Sequence, residues 1–211
     1  MQADIRILVA DDHGIVRMGL VQIIKQLMPS AKLSEVEDYK SLYAMVAKEK
    51  FNLAVIDVNM PNGALQEAID FIRIKQPELK ILIFSSQDEQ LYAQRYLKMG
   101  ADGFLNKHSS KEKIGEAVQT MFQKGRFISD AVKEAILNQS LNKQQPESSL
   151  ESLSNRELQV ANKLMEGLSL KELSEQLNLH TSTISTYKNR IFEKLNIQSF
   201  PELVEILRLY S

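Results

Sequence analysis

Acidic, hydroxyl and amino side chains follow four separate apolar segments of the sequence. Asp11 and Asp12 follow the first segment, Asp57 the third, and Ser85 and Lys107 the fourth and fifth. If these segments are parallel strands, their carboxyl ends meet at one edge of a sheet, and the five side chains converge there. Three clustered carboxylates repel one another, so the sequence predicts a hard divalent cation, Mg²⁺, at this edge.

The same side chains suit phosphoryl transfer. Asp57 can act as a carboxylate nucleophile, Mg²⁺ and Lys107 can neutralise the phosphoryl charge, and the Ser85 hydroxyl can donate a hydrogen bond. The alternative is that each acid only caps a loop or a helix, which is the commoner role of a single Asp after a strand. Because five suitable residue types follow four strands, the sequence favours one shared site.

The elements that must position these residues alternate between strand and helix patterns. The predicted strands are residues 5–10, 32–36, 53–56, 80–84 and 103–105. The helical patterns that follow them end at residues 28, 48, 75, 99 and 124. Repeated strand–helix units require a parallel sheet with helices on both faces, which predicts a doubly wound α/β domain over residues 1–125.

The rest of the chain lacks a strand pattern. Residues 126–149 are predicted as a short helix over 130–138 followed by a polar, Gln-rich linker. Residues 150–211 are predicted to form a smaller all-α domain. Its Ser-x-x-Glu capping boxes are Ser154 with Glu157, Ser169 with Glu172, and Ser199 with Glu202.

A helix-turn-helix is predicted within this second domain. A short helix over residues 169–176, a turn and a helix over 181–195 have the required proportions. The second helix has an apolar face and a face of short polar side chains, with Lys188, Arg190 and Lys194 suited to phosphate contacts. A plain surface helix is the alternative.

The first domain resembles the receiver domain of bacterial two-component response regulators over about residues 4–125. The motifs that carry the resemblance are Asp11-Asp12, residues 57–61, 84–86 and 100–107. The resemblance implies a five-stranded flavodoxin-like fold in which Asp57 accepts a phosphoryl group from a sensor histidine kinase. It also implies that Asp12 binds Mg²⁺ directly, Asp11 through water, and Asn59 through its backbone carbonyl.

The resemblance further implies that Lys107 contacts the phosphoryl group, that Ser85 swings toward it, and that Phe104 is the aromatic residue whose burial follows. Ser85 replaces the more usual Thr and Phe104 the more usual Tyr, which preserves the hydroxyl and the ring. From periodicity alone, Phe104 is equally an ordinary core residue. The family often has Gly at the position of Leu65, whereas here Asn62-Gly63 directly follow Pro61.

The second domain resembles the LuxR-type helix-turn-helix, and the whole chain resembles the NarL/FixJ subfamily of DNA-binding transcriptional regulators. Its matching residues are Leu153–Glu157, Val160, Gly167–Ser169, Lys171–Leu173, Leu177, Thr183-Ile184, Asn189, Ile191 and Lys194-Leu195. The residues expected at DNA are Lys171, Thr183, Ser185, Thr186, Lys188, Asn189, Arg190 and Lys194. Family members often carry Lys, His and Asn in place of Ser185, Tyr187 and Leu170.

Partners follow from the same resemblance. Double-stranded DNA, a sensor histidine kinase and a second copy of the chain are expected, with RNA polymerase as a further candidate. The apolar face expected to pair with a symmetry mate consists of Leu203, Ile206, Leu207 and Tyr210, and a core role for part of it is the alternative. The net charge is −1, and residues 147–211 carry seven Lys and Arg against nine Glu, which gives −2. Affinity for DNA must therefore come from a local surface.

The composition excludes some kinds of chemistry, and the sequence leaves two other function classes to consider. The chain has no Cys, its three His are scattered, and no signal-peptide or membrane-span pattern occurs, which indicates a cytoplasmic protein without thiol chemistry. A haloacid-dehalogenase-type phosphatase would place a second acid two residues after Asp57, where Asn59 stands, so an enzyme is not expected. A protein-interaction module whose helical domain has lost DNA binding is the remaining alternative.

Overall fold

The computed structural model describes residues 5–134 and 149–208 of the protein. The chain divides into two units, residues 1–136 and 137–211. Each unit is described by itself below.

The first unit is organised around a parallel sheet. Its strands are β1 (Arg6–Ala10), β2 (Lys32–Val36), β3 (Leu53–Ile56), β4 (Lys80–Ser85) and β5 (Gly103–Asn106), in the order β2-β1-β3-β4-β5. The strand order reverses at β1, and Ala10 at its end pairs with Ile56 at the end of β3. The residues that follow these two strands therefore meet at the switch point, as predicted for a doubly wound fold.

One helix follows each of the five strands, which confirms the predicted alternation. The helices are α1 (Gly14–Leu27), α2 (Tyr39–Lys48), α3 (Leu65–Lys75), α4 (Glu89–Lys98) and α5 (Lys111–Lys124). Side chains of Asp38, Asp88 and Ser110 accept hydrogen bonds from first-turn amides of α2, α4 and α5. These caps fix where each helix begins after its strand.

The segment after α5 packs onto the sheet and belongs to the first unit. Phe127 forms a parallel bridge to Gly103, and its amide donates to the Asp102 carbonyl at 3.1 Å. Phe127 and Val132 are buried. A Cβ on Gly103 would lie 2.8 Å from the Phe127 carbonyl oxygen, so this close approach requires Gly.

The predicted boundary after residue 125 therefore falls before the first unit ends, because a single covering bridge on an edge strand leaves no hydrophobic pattern in the sequence. Residues 130–134 are helical, as predicted. The remainder of the predicted helix and linker, residues 135–148, lies outside the described residues.

The described residues of the second unit form helices and no strand, as predicted. The helices are a 3₁₀ turn (Ser149–Ser152), α6 (Asn155–Met165), α7 (Leu170–Gln176), α8 (Thr181–Leu195) and α9 (Phe200–Arg208). The capping boxes at Ser154 and Ser169 are both present. The third differs, because Glu202 accepts from the Ser199 hydroxyl and from the Gln198 amide.

The last helix faces inward more than the sequence suggested. Leu203 and Leu207 are 0% and 1% exposed and lie in the core of the second unit. Their assignment to a dimer surface is corrected accordingly, because an i, i+4 pair on α9 points at the small helical core. Ile206 is partly exposed and Phe200 is exposed. Tyr210 lies outside the described residues.

Candidate phosphoryl-acceptor site and nucleic-acid interface

Three of the predicted site residues meet in one buried ion cluster at the switch point. Asp11 and Asp57 are 1% and 2% exposed, although both are carboxylates. The Lys107 ammonium lies 2.8 Å from Asp11 Oδ2 and 3.0 Å from Asp57 Oδ2. Lys107 reaches the carboxylates because its amide donates to the Ser85 carbonyl at 2.8 Å, which aligns the β5 end beside β4.

The carboxyl group of Asp57 has a raised pKa. Burial is the main cause, and the nearby Asp11 carboxylate adds to it, whereas Lys107 and a backbone hydrogen bond from Asn59 lower the pKa. Because burial outweighs these opposing contacts, the protein groups alone do not fully neutralise the Asp57 carboxylate. A divalent cation would supply further positive charge.

The residues fit Mg²⁺. Asp11, Asp12, His13 and Asp57 each offer a ligand atom, and these atoms all lie within 4.8 Å of one another. Asp11 Oδ2 and Asp57 Oδ2 are buried without a hydrogen-bond partner of good geometry, although the Lys107 ammonium is close to both. Carboxylate oxygens with spare lone pairs are the ligands that Mg²⁺ prefers. Asn59 is exposed next to this cluster in sequence, and ligation through its carbonyl stays a prediction.

His13 belongs to the same cluster, which the sequence analysis missed. Its Nδ1 atom lies 2.7 Å from Asp12 Oδ1 and 3.3 Å from Asp11 Oδ1. The His13 amide also donates to Asp11 Oδ1 at 2.8 Å, and this turn directs the ring toward the carboxylates. The adjacency of His13 to Asp11-Asp12 is the signal in the sequence that points to this cluster.

Ser85 is the last residue of β4, as predicted, and it is fully buried; its contact with a phosphoryl group stays a prediction. Its hydroxyl oxygen accepts from the Gln87 amide at 3.2 Å. The Gln87 carbonyl in turn accepts from the Asn106 side chain at 2.9 Å, which ties the loop after β4 to the end of β5. A movement of Ser85 toward Asp57 would thus have to break a contact with this loop.

Phe104 lies inside the fold. It is 1% exposed, and its ring stacks on Tyr96 of α4 with a centroid distance of 6.0 Å and an interplanar angle of 4°. The Tyr96 hydroxyl forms a hydrogen bond with the Gln87 side chain. Phe104 is therefore a core residue in this conformation, and it is connected to Ser85 through Tyr96 and Gln87. Its role as a switch stays a prediction.

The unusual loop after Asp57 has a defined conformation. Asn62 adopts a left-handed φ of 62° and its side-chain amide donates to Asp38 at 2.8 Å. A Cβ on Gly63 would lie 2.6 Å from Tyr39 Cβ, so only Gly fits there. The Tyr39 hydroxyl donates to the Val58 carbonyl at 2.8 Å. The Asn62-Gly63 pair thus lets α2 pack against the loop that follows Asp57.

The helix-turn-helix predicted in the second unit is present as α7, a turn and α8. In the turn, the Ser174 hydroxyl donates to the Leu179 carbonyl at 2.6 Å, and Arg156 of α6 donates to the Leu177 carbonyl at 3.0 Å. Ile184 and Ile191 bury the inner face of α8. This anchoring leaves the opposite face of α8 toward solvent.

Most of the residues predicted at bases and phosphates lie on α8, and Lys171 lies on α7. Lys171, Thr186, Asn189 and Arg190 are exposed, and Thr183, Ser185 and Lys188 are partly exposed. The hydroxyls of Ser185 and Thr186 donate to the carbonyls of Thr181 and Ser182, at 3.1 and 3.0 Å. Each hydroxyl oxygen keeps its acceptor capacity for a partner.

Lys194 has a structural partner that the sequence analysis did not anticipate. Its ammonium lies 2.7 Å from Oε2 of Glu157, which is 4% exposed in its side chain. Burial opposes ionisation of Glu157, but hydrogen bonds from Lys194 and Ser154 lower its pKa. This ion pair joins α8 to the start of α6 and competes with the predicted phosphate contact of Lys194, which is exposed and stays a prediction.

Each of the two units matches a known protein family. Residues 7–119 match the family described as Response regulator receiver domain, and this match spans more than half of the 211 residues. The chain belongs to the response regulator family. Residues 151–207 match Bacterial regulatory proteins, luxR family. This response regulator therefore joins a receiver domain to a LuxR-type DNA-binding domain, and the interaction-only alternative is not favoured.

Relatives of similar length support the family. Response regulator GacA of Pseudomonas aeruginosa is 30% identical over 200 residues, which cover 94% of this response regulator and 93% of GacA. Oxygen regulatory protein NreC of Staphylococcus epidermidis is 30% identical over 208 residues, 95% of each chain. Response regulator UvrY of Escherichia coli K12 is 27% identical over 202 residues, 96% of this chain and 93% of UvrY.

Solved structures share the fold. The two-component response regulator RcsB–DNA complex has a TM-score of 0.57 at 23% identity, covering 97% of this chain and 98% of that one. A structure of two RcsB dimers bound to two parallel DNAs gives the same TM-score, identity and coverage. Within the described part of this response regulator, no helix is both long and apolar enough to cross a bilayer.

Proposed function

We propose that Asp57 is the phosphoryl acceptor of this response regulator and that its phosphorylation controls binding to DNA. The observation that carries the proposal is the buried cluster of Asp57, Asp11 and Lys107, with two carboxylate oxygens held only 2.8 and 3.0 Å from one ammonium. A buried carboxylate with excess negative charge around it is costly for folding alone, which favours a functional role.

The proposed reaction transfers a phosphoryl group from a phosphohistidine of a sensor kinase. A carboxylate oxygen of Asp57 attacks phosphorus, the phosphorus–nitrogen bond breaks, and the electron pair stays on the departing imidazole, so an acyl phosphate remains. When bound, Mg²⁺ supplies positive charge for the phosphoryl oxygens. Asp11, Asp12 and Asp57 would hold it, with Asn59 as a further ligand.

In this proposal Lys107 and Ser85 contact the phosphoryl group after it has been transferred to Asp57. The Lys107 ammonium already lies 3.0 Å from Asp57 Oδ2, so it is placed to pair with a phosphoryl oxygen added there. The Ser85 hydroxyl would donate to a phosphoryl oxygen, and a rotation that carries it there would release the Gln87 amide, from which its oxygen now accepts. The loss of that amide contact would reach Tyr96 and Phe104 through Gln87, which links the pocket to α4 and β5.

In the second unit we propose that α8 enters the major groove. Ser185, Thr186 and Asn189 would contact base edges, and Lys171, Lys188 and Arg190 would contact phosphates, with Thr183 at the same surface. RcsB binds DNA as a dimer in the solved structure, and we propose a dimer here, with Ile206 as a candidate contact. A cytoplasmic location and a contact with RNA polymerase accord with this role.

Labelling with a small phosphoryl donor tests the acceptor. The full chain is incubated with acetyl phosphate and Mg²⁺, and the mass gain of one phosphoryl group is mapped by peptide analysis. Wild type gains the group on Asp57, and Asp57→Asn gains none. Asp130→Asn is the matched control, because Asp130 is exposed and paired only with Lys133 among its described ion pairs. Equal labelling of wild type and Asp57→Asn would refute the assignment.

A further inference from the structure

We propose that His13 is a nitrogen ligand of the divalent cation and makes the pocket prefer Mn²⁺ and similar transition-metal ions over Mg²⁺. The inference rests on the proposed function, which places a cation at Asp11, Asp12 and Asp57. It adds a ligand that differs in chemistry from the carboxylates around it. Imidazole suits transition-metal ions, whereas Mg²⁺ prefers oxygen ligands.

The geometry of the cluster already fits shared ligation. His13 Nδ1 lies 2.7 Å from Asp12 Oδ1, 3.3 Å from Asp11 Oδ1 and 4.0 Å from Asp57 Oδ2. On an octahedral ion with bonds of about 2.1 Å, adjacent ligand atoms lie about 3.0 Å apart and opposite ones about 4.2 Å apart. The three separations fall near that range, so the side chains need only small adjustments to bind one ion.

The Lys107 ammonium and the His13 imidazole approach different carboxylate oxygens. Lys107 contacts the Oδ2 atoms of Asp11 and Asp57, whereas His13 has its short contacts to the Oδ1 atoms of Asp11 and Asp12. Lys107 and a cation beside His13 can therefore be accommodated together. Asp11 Oδ2 and Asp57 Oδ2 are buried and have no hydrogen-bond partner of good geometry beside the nearby Lys107 ammonium, so both carboxylates keep lone pairs for a cation.

The competing explanation is that His13 pairs with Asp12 only in the metal-free protein and moves away when a cation binds. The two explanations differ in one measurable ratio. As a ligand, His13 contributes to Mn²⁺ affinity more than to Mg²⁺ affinity. As a displaced partner, it affects the affinity for both ions by the same factor.

The test measures the dissociation constants of Mn²⁺ and of Mg²⁺ separately, by calorimetry on the full chain at one fixed neutral pH. We expect His13→Ala to reduce the preference for Mn²⁺ over Mg²⁺ by at least about tenfold, since even residues behind the ligands change metal affinity by that much. His180→Ala, at an exposed His in the second unit, is the control and keeps the wild-type ratio.

A spectroscopic measurement distinguishes the ligand itself. Electron spin echo modulation of bound Mn²⁺ is expected to show coupling to an imidazole nitrogen in wild type and in His180→Ala, and none in His13→Ala. An unchanged Mn²⁺-to-Mg²⁺ ratio in His13→Ala, or no nitrogen coupling in wild type, overturns the inference. Asp12→Ala separates the two claims: if it leaves Mg²⁺ affinity intact, the proposed metal site itself is wrong.

Discussion

Removal of the Lys107 ammonium is expected to destabilise the first unit strongly when no divalent cation is present. In Lys107→Met the stem is retained, but Asp11 and Asp57 lose the cation that lies 2.8 and 3.0 Å away. At an effective dielectric constant of about 20, each contact corresponds to a gross attraction of about 6 kcal/mol. Desolvation of the ammonium, which is 12% exposed, offsets much of this attraction.

The net loss of unfolding free energy depends on the negative charge of Asp11 and Asp57, which stays buried in Lys107→Met. Removing one partner of a buried pair costs about 3–5 kcal/mol, and we expect the lower end of that range. The reason is that Asp12, in the same cluster, is 34% exposed, so water can reach one side of the pocket. Mg²⁺ should restore part of the loss, because it supplies the missing positive charge.

Urea unfolding of the full chain, followed by circular dichroism with and without Mg²⁺, measures these changes. Lys133→Met is the matched control: Lys133 pairs on the surface with Asp130, which is 93% exposed, and its loss should change the unfolding free energy by less than about 1 kcal/mol. If Lys107→Met costs no more than the control in metal-free buffer, Lys107 does not compensate the buried carboxylates as argued.

Further expected outcomes concern the other sites. Burial raises the pKa of Asp57 above its unfolded value, so folding favours its protonated form and metal-free stability falls as pH rises above about 4. In unfolding titrations across pH, Asp57→Asn should remove that loss and gain about 0.5–2 kcal/mol at neutral pH. Phe104→Ala should cost about 3–5 kcal/mol by leaving a cavity beside Tyr96, a loss that urea unfolding detects. Asn189→Ala should cost about 1–3 kcal/mol of DNA affinity and relax preference at one base position in a binding selection. Lys194→Met should leave the salt dependence of DNA affinity unchanged, because its ammonium is held by Glu157, and a slope lowered by about one unit would instead place Lys194 on a phosphate.

The fold and the convergence of the carboxylates could be predicted because both depend on periodic patterns. Buried strands read as apolar runs, and the parallel arrangement then places Asp11 and Asp57 at one edge without further information. The bridge between Phe127 and Gly103 could not be predicted in this way. It depends on one close approach between two backbone segments, and a single contact of this kind leaves no periodic pattern in the sequence.

The contacts that the sequence could not predict involve side chains with two plausible partners. Helical spacing places Lys194 near the outer face of α8, and its long stem also reaches the buried Glu157 of another helix. Leu203 and Leu207 satisfy the spacing of an interface and of a core equally well. The spacing of the three His gives no sign of the role of His13, because its partners are the carboxylates of Asp11 and Asp12.

Selection of DNA fragments by the full chain, with and without a phosphoryl donor, tests the central claim most directly. Wild type treated with acetyl phosphate and Mg²⁺ is expected to enrich a two-fold symmetric motif more strongly than untreated wild type, while Asp57→Asn shows no response to the donor. Asp130→Asn should respond as wild type does. The account is contradicted if neither state of the wild type enriches any motif, or if Asp57→Asn responds to the donor as strongly as the wild type.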